Sequence, residues 1–255
     1  MPFTFGNAFN RFFRLLGGNF VPFFIIGLIC TILPTMAVMY FEFTYMGVSQ
    51  TDPTWVNRLS TLPPTIWGYA GVTVLVSMLL NLVTLSVITE VAILRSVDKP
   101  LNFGAIIGNA LKNAIPLLVI EIFAGLLVGL GFILILVPGI IWALCTCVAI
   151  PSYVGQPGVG IFGAIGKSFQ LTRNHRWSLL LLFVVMFIIT AIASGALTAT
   201  TIGLPGGIMG LPSLLTRGFI SGVIALFWHV FAASLYVSLR EDKEKLAPDT
   251  TASVF

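Results

Sequence analysis

Ile115–Val137 reads IPLLVIEIFAGLLVGLGFILILV, a run whose only charged residue is Glu121. As a helix these residues rise about 34 Å, enough to cross about 30 Å of hydrocarbon. A segment apolar on every side belongs either in the interior of a large protein or in lipid. Composition decides between the two. Only 9% of residues are charged, 57% are hydrophobic and the mean hydropathy is +1.03. That is too little charge for the polar shell of a water-soluble domain. Five further apolar segments accompany the first, at residues 20–41, 66–94, 139–154, 177–201 and 218–239. The expected fold is therefore all-α and polytopic, with six transmembrane helices in a single domain over residues 1–240. A polar, disordered tail is expected at 241–255.

The basic residues orient this arrangement. Of 13 Lys and Arg, only Arg58 and Arg217 fall in connections assigned to one side. Arg11, Arg14, Arg95, Lys99, Lys112, Lys167, Arg173, Arg176, Arg240, Lys243 and Lys245 all fall on the other. Basic residues accumulate on the cytoplasmic side, so both termini are expected there, in a bacterial inner (cytoplasmic) membrane. The net charge of +4 then serves orientation and contact with anionic headgroups, and no nucleic-acid partner is expected. Residues 42–65 form the longest polar connection, placed outside, with Trp55, Trp67, Tyr40, Tyr45 and Tyr69 as an interfacial aromatic belt. The first apolar segment runs on to residue 41 without a small-residue cleavage site, and it is expected to remain a membrane helix.

Three short stretches, 5–18, 101–113 and 160–173, carry apolar residues at helical spacing opposite polar ones. In the first, Phe5, Phe9, Phe12, Phe13 and Leu16 face away from Asn7, Arg11 and Arg14. Such helices are expected to lie flat at the cytoplasmic interface. They also resemble one another. Gly6-Asn7-Ala8-Phe9, Gly108-Asn109-Ala110-Leu111 and Gly166-Lys167-Ser168-Phe169 can be set in register, and Phe103-Gly104-Ala105-Ile106 matches Phe162-Gly163-Ala164-Ile165. The implied unit is one interfacial helix followed by a two-helix hairpin, used three times in parallel orientation.

Prolines and glycines punctuate the spans. Pro34 is expected to kink the first. Pro138-Gly139 reads as a tight turn between the third and fourth. The fourth, at 140–153, would then rise only about 21 Å and be short for a bilayer. Gly125 and Gly129 offer a small-residue face for close helix packing, inside the bundle or between copies, and Ser194 and Thr198 a weaker one.

Val137-Pro138-Gly139-Ile140-Ile141-Trp142, Ala149-Ile150-Pro151 and Gly163-Ala164-Ile165-Gly166-Lys167-Ser168-Phe169-Gln170-Leu171-Thr172-Arg173 together resemble the YciC-like bacterial inner-membrane proteins. They resemble equally the membrane domain associated with some glycerophosphoryl diester phosphodiesterases. The specific likeness covers about residues 130–180. It implies a six-helix membrane domain and no phosphodiesterase chemistry, which in that family belongs to a separate soluble barrel with metal-binding carboxylates. Where those proteins often carry Glu before the amphipathic helix, this chain has Gly155-Gln156-Pro157.

Few residues carry chemistry. Glu121 lies nine residues past Lys112, deep in its span, and an intramembrane acid invites a functional reading. His229 sits mid-way along the sixth span, where a Glu121–His229 contact would form a proton-sensitive pair. The plainer readings are an acid bonded to a neighbouring Ser, Thr or Asn, and an interior packing histidine. Asn81 is expected to bond between helices. Glu90, five residues before Arg95, is close enough to pair with it or to snorkel. Lys167, Arg173 and Arg176, with His175, form the densest basic cluster, either a site for an anionic headgroup or an orientation signal alone. Cys30, Cys145 and Cys147 read as buried thiols, and no cofactor or metal is expected. No HExxH, phosphate loop or triad is visible.

The leading expectation is thus a non-catalytic membrane protein that organises or binds lipids or partner membrane proteins. Its partners would be anionic lipids of the cytoplasmic leaflet, a second membrane protein, or another copy of itself. The alternative is a transporter or channel for a lipid or small solute, with its polar site near Glu121, His229 and Asn81. An intramembrane enzyme is the least favoured reading.

Overall fold

A computed structural model describes residues 3–41, 64–156, 158–205 and 210–244. Among these residues the fold is all-α. The helices are α1 (Phe5–Gly18), α2 (Phe20–Gly27), α3 (Leu33–Phe41), α4 (Pro64–Ser96), α5 (Phe103–Lys112) and α6 (Ala114–Leu134). They continue as α7 (Leu136–Thr146), α8 (Ala149–Gly155), α9 (Ile161–Thr172), α10 (Arg176–Ala199) and α11 (Leu211–Glu244). Six helical stretches are long and apolar enough to span a bilayer: Phe20–Tyr40, Trp67–Ser96, Ala114–Leu134, Leu136–Gly155, Arg176–Gly203 and Leu211–Lys243. Their outer surfaces are oily. Ile115 is 72% exposed and Ile133 82%, within long helices that carry almost no charge. Such a surface is compatible with lipid, and a monomer in water does not expose it. Of the expected aromatic belt, Tyr40, Trp67 and Tyr69 are exposed, and Tyr45 and Trp55 lie outside the described residues.

The chain divides into two compact units. Residues 24–81 and 188–226 form one of them. Within it, α2 and α3 are joined by a π-helical turn, Leu28–Ile32, in which the Leu33 N–H reaches back to the Leu28 carbonyl. Pro34 explains its position. A proline has no N–H to donate and its ring crowds the carbonyl four residues back, so the preceding turn widens. A π-turn thus stands immediately before the position where a kink was expected. α11 packs tightly against it. A Cβ on Gly222 would lie 2.6 Å from the Ile32 Cα, and one on Gly218 3.1 Å from the Met36 Cα. The small-residue packing face is therefore Gly218/Gly222. The expected Gly125/Gly129 face meets open space within this chain, which leaves packing between copies as its other expected use.

The second unit comprises residues 1–23, 82–187 and 227–255. Its core holds Phe12, Val87, Ile88, Ile106, Leu117, Ile120, Leu179 and Phe231. The Phe231 ring meets Phe12 edge-on at 6.1 Å and Phe183 at 5.5 Å. The turn between α6 and α7 falls three residues earlier than expected. Ile135 is the extended residue (φ −163°, ψ 153°), and Pro138-Gly139 belongs to the first turn of α7. A proline there sacrifices only an N–H that has no helical partner. The glycines serve close packing: a Cβ on Gly131 would sit 2.7 Å from the Gly139 Cα. With the turn moved back, Leu136–Gly155 supplies 20 residues. A continuous helix of that length would rise about 30 Å, but the stretch is two helices that break at Cys147-Val148.

The three short amphipathic helices occur as α1, α5 and α9. Ala8, Ala110 and Ser168, which share one position of the repeat, are all fully buried. Two residues before the second and third shared glycines, Ile106 and Ala164 are buried alike, whereas Thr4 before Gly6 is exposed. Burial thus follows the Gly-x-small register, and the Phe-Gly-Ala-Ile match is displaced from it by one residue. The apolar faces are also divided. Phe12 is buried and Phe13 is 53% exposed; Ile106 is buried and Leu111 is 57% exposed.

The last span also extends further than expected. α11 continues to Glu244, so Glu241 and Asp242 are helical and bonded, and belong to no disordered tail. Residues 245–255 lie outside the described residues.

Candidate functional site

Among the described residues no hydrogen bond or ion pair joins Glu121 to His229. Asn81 donates from Nδ2 to the Ser77 carbonyl of its own helix at 2.8 Å. Glu121 is half-buried and makes no hydrogen bond or ion pair among the described residues. His229 is half-buried, with a fully buried Nδ1 that has no hydrogen-bond partner. Glu90 also departs from expectation. Arg95 turns away from it and donates from Nε to Asn19 Oδ1 at 3.1 Å.

The basic cluster is placed by a tight link between α9 and α10. Asn174 adopts left-handed backbone (φ 73°), and the His175 N–H closes onto the Thr172 carbonyl. Arg173 and Arg176 are exposed on either side of this link, and Lys167 is half-buried on α9. His175 points inward. Its Nε2 lies 2.9 Å from Asp242 Oδ2, and its ring meets Phe3 edge-on at 4.9 Å. The other Asp242 oxygen accepts from the Phe3 N–H at 2.9 Å. Next to it, Glu241 takes both Arg11 guanidinium nitrogens, at 2.7 and 2.5 Å. One node thus ties α1, the α9–α10 link and the end of α11 together. Arg240 adds a further tie, donating from Nη1 to the Gly155 carbonyl at 2.9 Å while its guanidinium lies 6.0 Å from the Tyr236 ring centroid. Gly155 must be glycine here, because a Cβ would enter the Tyr236 ring.

Besides a cavity of about 240 Å³ among Asn7, Asn10, Arg11, Arg14, Ser238 and Glu241, two cavities in this unit have polar walls suited to a ligand. The smaller, about 60 Å³, lies among Arg11, Arg14, Arg95, Ser96 and Ser234. Arg11 is committed to Glu241. Arg14 and Arg95 are exposed and form no ion pair among the described residues. Two guanidiniums and two hydroxyls around a space of this size suit one phosphate-like group.

The larger cavity, about 650 Å³, is lined by Glu90, Lys99, Asn102, Asn109, Asn113 and Tyr153 with apolar neighbours. Local backbone chemistry builds it. α4 ends in a reverse turn in which the Lys99 N–H bonds the Leu94 carbonyl at 3.0 Å, with Asp98 left-handed at φ 52°. This is the six-to-one bond of a Schellman cap, with aspartate where glycine is usual. Asn102 then caps α5, its Oδ1 accepting from the Ala105 N–H. α5 carries Asn109 back to α4, where Nδ2 donates to Glu90 Oε1 at 3.1 Å. Glu90 is only 5% exposed and this is its one hydrogen bond among the described residues. The sequence does contain a signal for the cleft: an acid inside a span followed by three asparagines spaced along one amphipathic helix. Which of them met the acid was invisible.

Among the described residues no group of three His, Cys, Asp or Glu side chains is placed to hold a metal. No protein-family model matches the chain. No match was found among curated proteins or among solved structures.

Proposed function

We propose that this is a non-catalytic integral membrane protein that binds anionic phospholipid headgroups on its cytoplasmic side. The observation that carries the reading is the convergence of Arg14 and Arg95, from two different helices, on one small cavity with no carboxylate of the described residues paired to either. Juxtamembrane arginines attract anionic lipid, and a guanidinium pair adds directional phosphate binding. Exposed Arg173 and Arg176, with Lys167, widen the basic face. In this reading α1, α5 and α9 lie along the cytoplasmic interface. Their exposed residues Phe13, Leu111 and Phe162 dip into the acyl boundary while their buried faces hold the bundle. Each precedes a pair of spans, giving three hairpins and both termini inside, in keeping with the resemblance to YciC-like inner-membrane proteins.

The test is lipid retention by the protein purified in native-membrane nanodiscs, read by mass spectrometry. Joint Arg14→Ala and Arg95→Ala substitution is expected to lower retained anionic lipid about tenfold, the loss of one to two charge-assisted hydrogen bonds. Neutralising Lys167, Arg173 and Arg176 is expected to cause a smaller loss. Unchanged retention in both variants overturns the reading. The second reading, transport past Glu121, His229 and Asn81, is favoured only by the unpartnered Nδ1 of His229. Glu121→Ala separates the two: a folded variant with unaltered physiological activity removes the transport pathway through that acid.

A further inference from the structure

The Glu90 cleft is a different site from the arginine cavity and calls for a different ligand. We infer that it binds a primary ammonium group carried next to a phosphate, with Glu90 receiving the ammonium and Lys99 the phosphate.

The argument begins with the acid. Glu90 is 95% removed from solvent within an apolar helix, yet only Oε1 is used, by Asn109. A buried carboxylate with one neutral donor is poorly compensated, and no cation of the described residues lies within ion-pair distance of it. Arg95, the nearest basic residue along its helix, is turned to Asn19. Oε2 is the acceptor left over. The cleft it lines is about 650 Å³. Ligand pockets run about 300–1,000 Å³, so this space takes a whole polar headgroup and not merely a water or an ion.

The walls narrow the chemistry. One carboxylate, one lysine, three asparagines and a tyrosine surround the space. A wall that carries both an acid and a lysine suits a zwitterion better than a net anion or cation, and a lysine ammonium with three N–H donors can bond a phosphate beside the contact it already makes. A primary ammonium has three N–H donors, for Glu90 Oε2, the asparagine carbonyls and Tyr153 Oη. A quaternary ammonium has none and would leave those acceptors empty. Recognition of quaternary amines instead uses aromatic cages, and the cleft has one aromatic ring. Two sources supply such a group: the headgroup of an aminophospholipid, or free phosphoethanolamine in the cytoplasm.

The experiment uses the full chain in nanodiscs of phosphatidylglycerol background. Short-chain phosphatidylethanolamine, its N-methyl and N,N-dimethyl forms, and phosphatidylcholine are compared by native mass spectrometry. Free phosphoethanolamine is titrated separately by calorimetry. The wild type is expected to lose binding stepwise with methylation, ending at least about tenfold weaker for phosphatidylcholine, as expected when charge-assisted hydrogen bonds are lost. Glu90→Gln keeps an acceptor for Asn109 and removes the charge, and it is expected to abolish the preference. Arg14→Ala with Arg95→Ala is expected to leave the preference intact, so this site can fail while the anionic-lipid reading stands, and the reverse. Binding of phosphoethanolamine that is lost in Glu90→Gln supports the same site with a soluble source; binding of the lipid alone assigns the lipid source. Equal binding across the methylation series in the wild type overturns the proposal whether or not Glu90→Gln folds. So does a folded Glu90→Gln that retains the preference.

Discussion

At the scale of single residues, the decisive positions are those where a side chain is missing. Gly222 and Gly155 each face another element at a distance that leaves no room for a Cβ. Gly222→Ala must push α11 off the Ile32 backbone, and Gly155→Ala must displace the Tyr236 ring. Each is expected to cost about 1–3 kcal/mol, the usual range for overpacking, read as a lower unfolding temperature in detergent. Gly125→Ala and Gly129→Ala meet open space and are expected to be neutral or to stabilise by up to about 1 kcal/mol each, since alanine is the better helix former. Equal effects at all four positions would contradict the packing described. From the amino-acid string the two kinds of glycine look alike. Gly125/Gly129 and Gly218/Gly222 both have four-residue spacing in an apolar helix, and only the neighbouring element tells them apart.

At the scale of elements, α1 shows what anchors a short amphipathic helix. Thr4 caps it, accepting from the Asn7 N–H at 3.3 Å. Phe12 enters the core against Phe231, and Arg11 makes a two-pronged bond to Glu241. These attachments differ in strength. Phe12→Ala leaves a cavity and is expected to cost about 3–5 kcal/mol. Arg11→Ala removes a half-exposed ion pair and is expected to cost about 1 kcal/mol or less. Hydrogen exchange over residues 5–18 checks this: protection should collapse in the first variant and persist in the second. The helix and its apolar residues were legible from periodicity. How that face divides between protein and surroundings was not, because Phe12 and Phe13 are chemically identical neighbours.

At the scale of the whole molecule, the node at Glu241 and Asp242 joins the described start of the chain to the end of α11. Residue 3 and residue 242 therefore share one membrane face if the six apolar stretches span, and the basic excess expects that face to be cytoplasmic. Single cysteines introduced at Asn10 and Lys243, in a background lacking Cys30, Cys145 and Cys147, are expected to resist an impermeant thiol reagent in intact cells. Both should react once the membrane is opened. Labelling of either in intact cells would reverse the orientation. Composition and the length of the apolar runs were sufficient for the all-α class and the six long helices, because lipid compatibility is a property of each segment alone. Helix ends were less secure: Pro138 fits a turn and a first helical turn equally well, and packing at Gly131 and Gly139 selects the second. The site was least legible. Glu121, His229 and Asn81 stood out because a polar residue in an apolar run is conspicuous. The cavities instead lie where Glu90 meets Asn109 and Arg14 meets Arg95, pairs 19 and 81 residues apart. The amino-acid sequence by itself determined where this chain is apolar, and hence its class. Which polar groups face one another depends on how the helices rotate and dock, and that was decided only by tertiary packing.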